Sequence, residues 1–496
     1  MRLHNTLTGK VEEFTPLVPG QLGLYVCGVT PYAESHIGHA MSAIVYDVLV
    51  RYLRWEGNSF GGLEVKYVSN YTDVDDKLIV RGAELGIDPL VLAQQNIDQW
   101  EDEQRALGLV FPDERPRVTT HIPEIIDLIK RLVANGHAYA TPSGDVYFRV
   151  RSDDDYGKLS HRVIEDLRIG TRALAGQPAV AEGDPGEGKE FAFDFALWKS
   201  AKPDEPETTR WPSPWGAGRP GWHIECSAMA QRYLGETFDI HGGGIDLLFP
   251  HHENEVAQSE SATGQPFARL WMHNGLVLRD GEKMSKSLGN FVTVREALHE
   301  QRWSPDAIRL FVLTSHYRGS NNLTDEAMAA AQAGVDRLRR ALKRESGSDP
   351  LGEFSYPGPK ENFQTAMDDD LNTPRAIAAL YDIATSINRF ADGNLNMEPT
   401  QRLLRELACE VLGFSLADGD NSVDLDVVGL SQLAKQYDVV CGGTDAVSTI
   451  DALLAHREQA RKSREFAVAD GIRNGLAAAG VEIEDTSSGP RWSAKR

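Results

Sequence analysis

LYVCGVTPYAESHIGHAM, residues 24–41, decides how this chain is read. Its first part is an apolar run ending on Cys27 and Gly28. Its second part opens a helical pattern, with apolar residues one turn apart from Ile37 to Trp55 and Gly57 as the stop. A short buried strand over 22–28, a turn and a helix form the opening unit of a nucleotide-binding sheet. A helix that starts just after a strand presents free N–H groups and a positive dipole end to phosphate. His36 and His39 stand at that end on one helix face, where each can donate a hydrogen bond to charge developing on a transferred phosphoryl group. Gly38 lies between them, and glycine inside a helix is worse than alanine by about 1 kcal/mol, so a close approach to the backbone is expected there.

Outward from this stretch the pattern repeats. Leu63–Ser69 alternates as a further strand, and long helical patterns occupy 88–107 and 122–135. Regularity weakens from about 140 to 204, where GQPAVAEGDPGEGKE reads as a mobile loop inside an inserted module. Strands at 238–241 and 270–273, with helices near 222–234 and 252–263, then resume the sheet. The expected fold is α/β: a Rossmann-type doubly wound parallel sheet interrupted by an insertion. Beyond Pro305 nearly everything reads as helix, giving an all-α bundle. ADGDNSVDLDVV is an acidic linker, and a small C-terminal domain follows.

With 496 residues, 41% of them hydrophobic, the chain should divide into roughly three to five units. No window approaches the roughly 18 uncharged apolar residues of a membrane span, and no signal-peptide pattern opens the chain, so a cytoplasmic, soluble protein is expected. Four cysteines cannot staple a chain of this size; metal ligation, reactivity or burial remain. A net charge of −22 excludes indiscriminate binding of nucleic acid, so basic groups must be gathered locally. Arg457, Arg461, Lys462, Arg464 and Arg473 are such a gathering. A second cationic stretch is GEKMSKSLGN, 281–290, where Lys283 and Lys286 with Ser285 and Ser287 form a glycine-flanked loop able to close over polyphosphate.

HIGH at 36–39 and KMSKS at 283–287, on opposite sides of an α/β pattern, resemble the two signature motifs of class I aminoacyl-tRNA synthetases. YVCGVTPY, NYTDVDDKL, GWHIECSAM and GGGIDLLFPHHENEVAQS between them resemble one branch, the cysteinyl-tRNA synthetases. DAIRLFVLTSHYR, AMDDDLNTP and REFAVADGIRNGL extend that similarity over almost the full chain. The residue chemistry agrees. Cys27 and Cys226 are soft donors, and Glu255 shares a helix face with either His251 or His252, so a tetrahedral zinc site can be assembled. The resemblance implies Cys27, Cys226, His251 and Glu255 as the ligands.

The resemblance further implies one Zn2+ per chain, with ATP and Mg2+, L-cysteine and cysteine tRNA as partners of a monomeric ligase. His36, His39, Lys283 and Lys286 would be catalytic. Gly38, Asp246 and Ser285 would join them around ATP, with Asp246 accepting from the ribose. Gly28, Thr30, Thr72, Trp222 and His223 would surround the cysteine. Arg457, Arg461, Arg464, Phe466 and Asp470 would read the anticodon. The implied boundaries are 1–121 and 205–274 for the halves of the catalytic sheet, 122–204 for the insert, 275–325 for the KMSKS loop and stem-contact region, 326–415 for the bundle and 416–496 for the linker and anticodon domain. Selectivity has a physical rationale. An apolar pocket separates near-isosteres such as cysteine and serine by only about 10–200-fold, whereas a thiophilic ion separates them by donor type. The insert, roughly half a typical domain, is small for a second, hydrolytic site.

Overall fold

The computed structural model describes residues 1–163, 188–284, 290–349, 357–416, 427–437, 439, 446–463, 465–486 and 489–494. The chain divides into two compact units, Met1–Leu416 and Ala417–Arg496. In the first, β1 (Arg2–Asn5) and β2 (Lys10–Glu13) form a hairpin. β3 (Gln21–Val29), α1 (Ile37–Arg54) and β4 (Glu64–Tyr71) then build one half of the main sheet. α2 (Asp76–Leu85), α3 (Pro89–Ala106) and α4 (Ile122–Ala134) lead into the insert. The insert folds as a four-stranded antiparallel sheet of β5 (Ala138–Ala140), β6 (Val146–Phe148), β7 (Phe195–Ser200) and β8 (Gly218–Pro220), in sequence order. Its last strand reaches Pro220, beyond the 204 at which the sequence reading ends the insert. Most of the glycine- and acid-rich patch lies outside the described residues.

α5 (Trp222–Leu234), β9 (Phe238–Gly244), α6 (Glu253–Thr263) and β10 (Ala268–Asn274) complete the main sheet, whose parallel strands run in the order β10-β9-β3-β4. β3 sits in the interior and alternates as period-2 patterning requires. Leu22, Leu24 and Val26 enter one core with α1, while Tyr25 and Cys27 pack into a second core with α4, α5 and α6. α1 is apolar almost all round and is correspondingly buried between the sheet and the helices that follow.

β11 (Val277–Arg279) pairs with β12 (Glu282–Lys283) and, after α7 (Pro305–Leu313), with β13 (Asn321–Leu323). α8 (Asp325–Lys343), α9 (Pro357–Asp368), α10 (Thr373–Asp392) and α11 (Glu398–Arg405) form the bundle. The second unit holds α12 (Val427–Gln436), α13 (Ala446–Lys462) and α14 (Phe466–Ala478) around Leu430, Ile450, Leu453 and Ile472. It ends in a hairpin of β14 (Val481–Thr486) and β15 (Gly489–Ala494), where Trp492 donates to Asp451 at 3.0 Å. β13 and this hairpin interrupt the region read as helix throughout; three- to six-residue strands carry too little alternation to show against helical neighbours. No helix among the described residues is long and apolar enough to cross a membrane.

One ion pair ties these layers together. Arg309 of α7 meets Asp47 of α1, both side chains 1% exposed. Arg309 also donates to the carbonyls of Leu107 and Leu412, each at 3.1 Å, and Asp47 accepts from Arg51 at 3.0 Å and from the Val110 N–H at 2.7 Å. Removing Arg309 leaves buried Asp47 with Arg51 as its remaining cation and strips the Leu107 and Leu412 carbonyls of a donor, so Arg309→Ala is expected to lower unfolding free energy by about 3–5 kcal/mol. Urea denaturation checks this; a loss under about 1 kcal/mol, the range of exposed pairs, would contradict it.

Candidate functional site

The chain leaves β3 towards β4 and leaves β9 towards β10, so a crevice opens at the carboxyl ends of β3 and β9, the switch point where doubly wound sheets bind ligands. A cavity of about 340 Å³ fills it. At its wall the β3–β4 register slips: Val26 faces Ser69, but Val29 faces Tyr71. The bulge falls on Cys27 and Gly28 and re-aims the cysteine at the end of its strand. Position 28 admits only glycine, because a Cβ there would stand 1.6 Å from the Asn70 carbonyl oxygen. The Asn70 side chain accepts the Gly28 N–H at 2.9 Å and donates to the Thr72 hydroxyl at 3.3 Å.

Cys27 Sγ lies 3.3 Å from Glu255 Oε1 and 3.6 Å from His251 Nε2, and those two atoms are 3.1 Å apart. With Cys226 Sγ, all four donor atoms lie within 4.8 Å of one another. Bonds of about 2.0–2.3 Å in a tetrahedron need ligand atoms about 3.3–3.8 Å apart, so two sulfurs, one imidazole and one carboxylate in this packing fit zinc. A second group, Cys27, His241, His252 and Glu255, meets the same distance limit. His241 Nε2 contacts Glu255 Oε2 at 2.9 Å. His252 Nδ1 contacts His273 Nε2 at 2.8 Å, and His273 Nδ1 reaches the Thr6 hydroxyl at 2.8 Å.

The electrostatics of the first group are divided: burial, with Cys226 and Glu255 beside it, pushes the Cys27 thiol well above its usual range. A hydrogen bond from Cys27 lowers the Cys226 thiol to about 6 against the opposing effect of burial. Burial pushes the Glu255 carboxyl up, but His241 and His251 beside it bring it down to about 2. Burial works against a charged His251, and Glu255 and Cys226 outweigh it, raising the ring to about 10. His223 stands behind His251, Nδ1 to Nδ1 at 3.0 Å, and is buried; it supports the ring and does not line the cavity. Gly28, Thr30, Thr72 and Trp222 do line it, and the Trp222 ring packs 4.3 Å from that of His251.

At the start of α1, the backbone N–H of Gly38 donates to His36 Nδ1 at 3.0 Å, and that of His36 donates to His39 Nδ1 at 3.2 Å. Both Nδ1 atoms are therefore acceptors, and in neutral rings the proton sits on Nε2. The rings stack at 3.8 Å. A Cβ on Gly38 would come within 2.7 Å of the His36 ring, so the close approach inferred at this glycine is made first by the protein itself. Burial, with His36 adjacent, pushes the His39 ring well below its usual value of 6.5. Asp246 is at the exposed rim of the cavity. The segment 290–294 is tied to the same helix start and to β12: Asn290 donates to the Lys283 carbonyl at 3.3 Å, Ile37 N–H to Val292 O at 3.1 Å and Val294 N–H to Ser35 O at 2.9 Å. Lys283 ends β12; Ser285 and Lys286 lie outside the described residues.

In the second unit Arg461, Phe466 and Asp470 are exposed and Arg464 is outside the described residues. Arg457 is only 4% exposed, which corrects the surface role read from helical spacing: its turn of α13 faces the domain core. Sequence reasoning missed several cavity residues, among them Asn70, Lys77, Trp100 and Gln104. Lys77 holds its ammonium 5.3 Å from the Tyr32 ring and 6.0 Å from that of Trp222, a contact no spacing rule displays.

Residues 13–333 match the tRNA synthetases class I (C) catalytic domain, and residues 362–417 match the DALR domain. The chain is 45% identical to a cysteine–tRNA ligase of Dehalococcoides mccartyi over 100% of both chains. It is 47% identical to one of Alkalilimnicola ehrlichii over 99% of each. In fold it is similar to Mycobacterium tuberculosis methionyl-tRNA synthetase in complex with methionyl-adenylate, with a TM-score of 0.58 at 17% identity, covering 80% of this chain and 92% of the other.

The histidine geometry makes a pH prediction. In 15N spectra His39 is expected to stay neutral, protonated on Nε2, as pH falls through its ordinary value of 6.5. Because the folded value is depressed, its contribution to stability is complete above the unfolded value and is lost as pH falls towards the folded one. A His39 titration at or above 6.5 would contradict the burial argument.

Proposed function

Because the chain belongs to the cysteine–tRNA ligase family of class I synthetases, we propose that it activates cysteine with magnesium-bound ATP and passes the cysteinyl group to the 3′ end of cysteine tRNA. The observation that carries this reading is the continuity of one cavity: Cys27, Cys226 and His251 line it at one end, with Glu255 joining their donor set, and His36 and His39 line it at the other. In the first step a cysteine carboxylate oxygen attacks the α-phosphorus and the bond to pyrophosphate breaks. In the second, the terminal ribose hydroxyl attacks the carbonyl carbon of the adenylate and AMP departs.

The chain's own groups divide the work by position. The Nε2–H groups of His36 and His39 donate to the α-phosphate as its charge grows. Lys283, Ser285 and Lys286 take the pyrophosphate end, and Asp246 accepts from the ribose of ATP. Trp222, Thr30, Thr72 and Gly28 confine the amino acid, while His223 holds the His251 ring from behind. Cys27, Cys226, His251 and Glu255 would hold zinc, which when bound supplies a thiophilic Lewis acid that prefers a cysteine thiol to a serine hydroxyl. Positioning and preorganised donors account for most of such a rate enhancement. In the second unit Arg461, Arg464, Phe466 and Asp470 read the anticodon, as single-stranded bases need a stacking ring and polar edges. In this reading the enzyme is a cytoplasmic monomer.

Purified protein is expected to carry about one zinc per chain and to exchange pyrophosphate into ATP with cysteine but not with serine. Cys27→Ser should lose the metal and lower cysteine-dependent exchange by more than about 100-fold, beyond the range of outer-shell substitutions. A Cys27→Ser protein with normal zinc and normal exchange removes Cys27 from the site.

A further inference from the structure

The residues assigned so far leave the carboxylate of a bound cysteine without a cation. Among the described residues that line the cavity, the lysines and arginines are Lys77 and Arg115. Arg115 is engaged, its guanidinium 2.6 Å from Glu101. Lys77 is the second residue of α2 and stands exposed at the rim. Both acids beside it have other partners. Asp75 accepts the Lys77 backbone N–H at 2.8 Å as the cap of α2, and Asp76 meets Lys199 at 2.7 Å and Arg219 at 2.6 Å. The Lys77 ammonium lies instead over two half-buried rings of the same cavity, Tyr32 at 5.3 Å and Trp222 at 6.0 Å. Such contacts are weak at exposed sites, so the ammonium is held against the cavity wall and stays available to an anion.

We infer that Lys77 binds the α-carboxylate of cysteine and orients it for attack on the α-phosphate. The inference rests on the ligase reading above. The order of groups along the wall carries it: the Trp222 ring packs 4.3 Å from that of His251, and Lys77 lies over Trp222, so the cation stands one aromatic ring away from the thiol donors. A cysteine held there by its sulfur carries its carboxylate on the carbon next to the thiol-bearing one, and the flexible lysine stem spans the remainder. Lys77 takes the oxygen that does not attack, which fixes the plane of the carboxylate and leaves the other oxygen free for phosphorus. A lone ammonium suits this task, because a bidentate guanidinium would occupy both oxygens.

The test sets L-cysteine against cysteamine, which keeps the thiol and the amine and lacks the carboxylate. Cysteamine cannot be activated, so it is measured as a competitive inhibitor of cysteine-dependent pyrophosphate exchange on the zinc-loaded enzyme. Lys77→Met removes the charge and keeps an unbranched side chain against Tyr32 and Trp222. It is expected to raise KM for cysteine about 10- to 100-fold, the factor of a hydrogen bond to a charged group, and to leave the inhibition constant of cysteamine unchanged. That unchanged constant also reports that the thiol site is folded. Equal weakening of both ligands overturns the inference, since it would place Lys77 in the packing of Trp222. An unchanged KM for cysteine overturns it too, and if charging of tRNA alone then suffers, the ammonium meets a backbone phosphate of the tRNA. Absence of cysteine-dependent exchange in the parent would instead strike the ligase reading itself.

Discussion

The parallel pairing of β3 with β9 at the middle of the sheet is the constraint on which the active end depends. Leu24, Tyr25 and Val26 lie opposite Ile240, His241 and Gly242, so the two strands end together and their connections diverge. The crevice this opens is a consequence of topology. What specialises it is the bulge at Cys27 and Gly28, which ends the regular strand with a sulfur aimed at α5 and α6 instead of into the sheet. Cys226 sits on α5 and Glu255 on the first turn of α6, so one irregularity in one strand gathers donors from three elements.

The two ends of the cavity use burial in opposite ways. At the thiol end, opposite charges packed together outweigh desolvation: Glu255 stays ionised and His251 is drawn towards protonation in the absence of an ion. At the start of α1, burial pushes His39 towards the neutral form, so in the proposed reaction it would donate a hydrogen bond without placing a fixed cation against the nucleotide. The start of α1 is also joined to the segment 292–294 through the backbone bonds at Ile37 and Val294. The edge of the Phe291 ring, 4.7 Å from His36, adds a side-chain contact to that joint.

Much of this was legible in the sequence because the catalytic sheet uses long, strongly patterned elements. The strand over 22–28, the helix from Ile37 and the helix from Trp222 lie within a residue or two of where the sequence pattern puts them. The cysteines and Glu255 stand out by residue type, but helical spacing leaves His251 and His252 equally open beside Glu255, and the choice of His251 comes from the family resemblance. The insert's sheet was not, since strands of three residues show no period. Arg457 was misplaced because a basic residue at helical spacing looks the same whether its face meets water or the domain core. His241 is invisible to local pattern because it reaches the cluster from a neighbouring strand.

Cys27 and Glu255 are shared between two possible donor sets, one with Cys226 and His251 and one with His241 and His252. With Cys226 and His251 a bound ion would have two sulfur ligands; with His241 and His252 it would have one. Zinc X-ray absorption on the purified, cysteine-free protein separates them directly. The account predicts two sulfurs at about 2.3 Å and two nitrogen or oxygen ligands at about 2.0–2.1 Å. A shell with a single sulfur and three nitrogen or oxygen ligands would contradict it, and would move the thiol-recognising ion to the histidines behind the cavity.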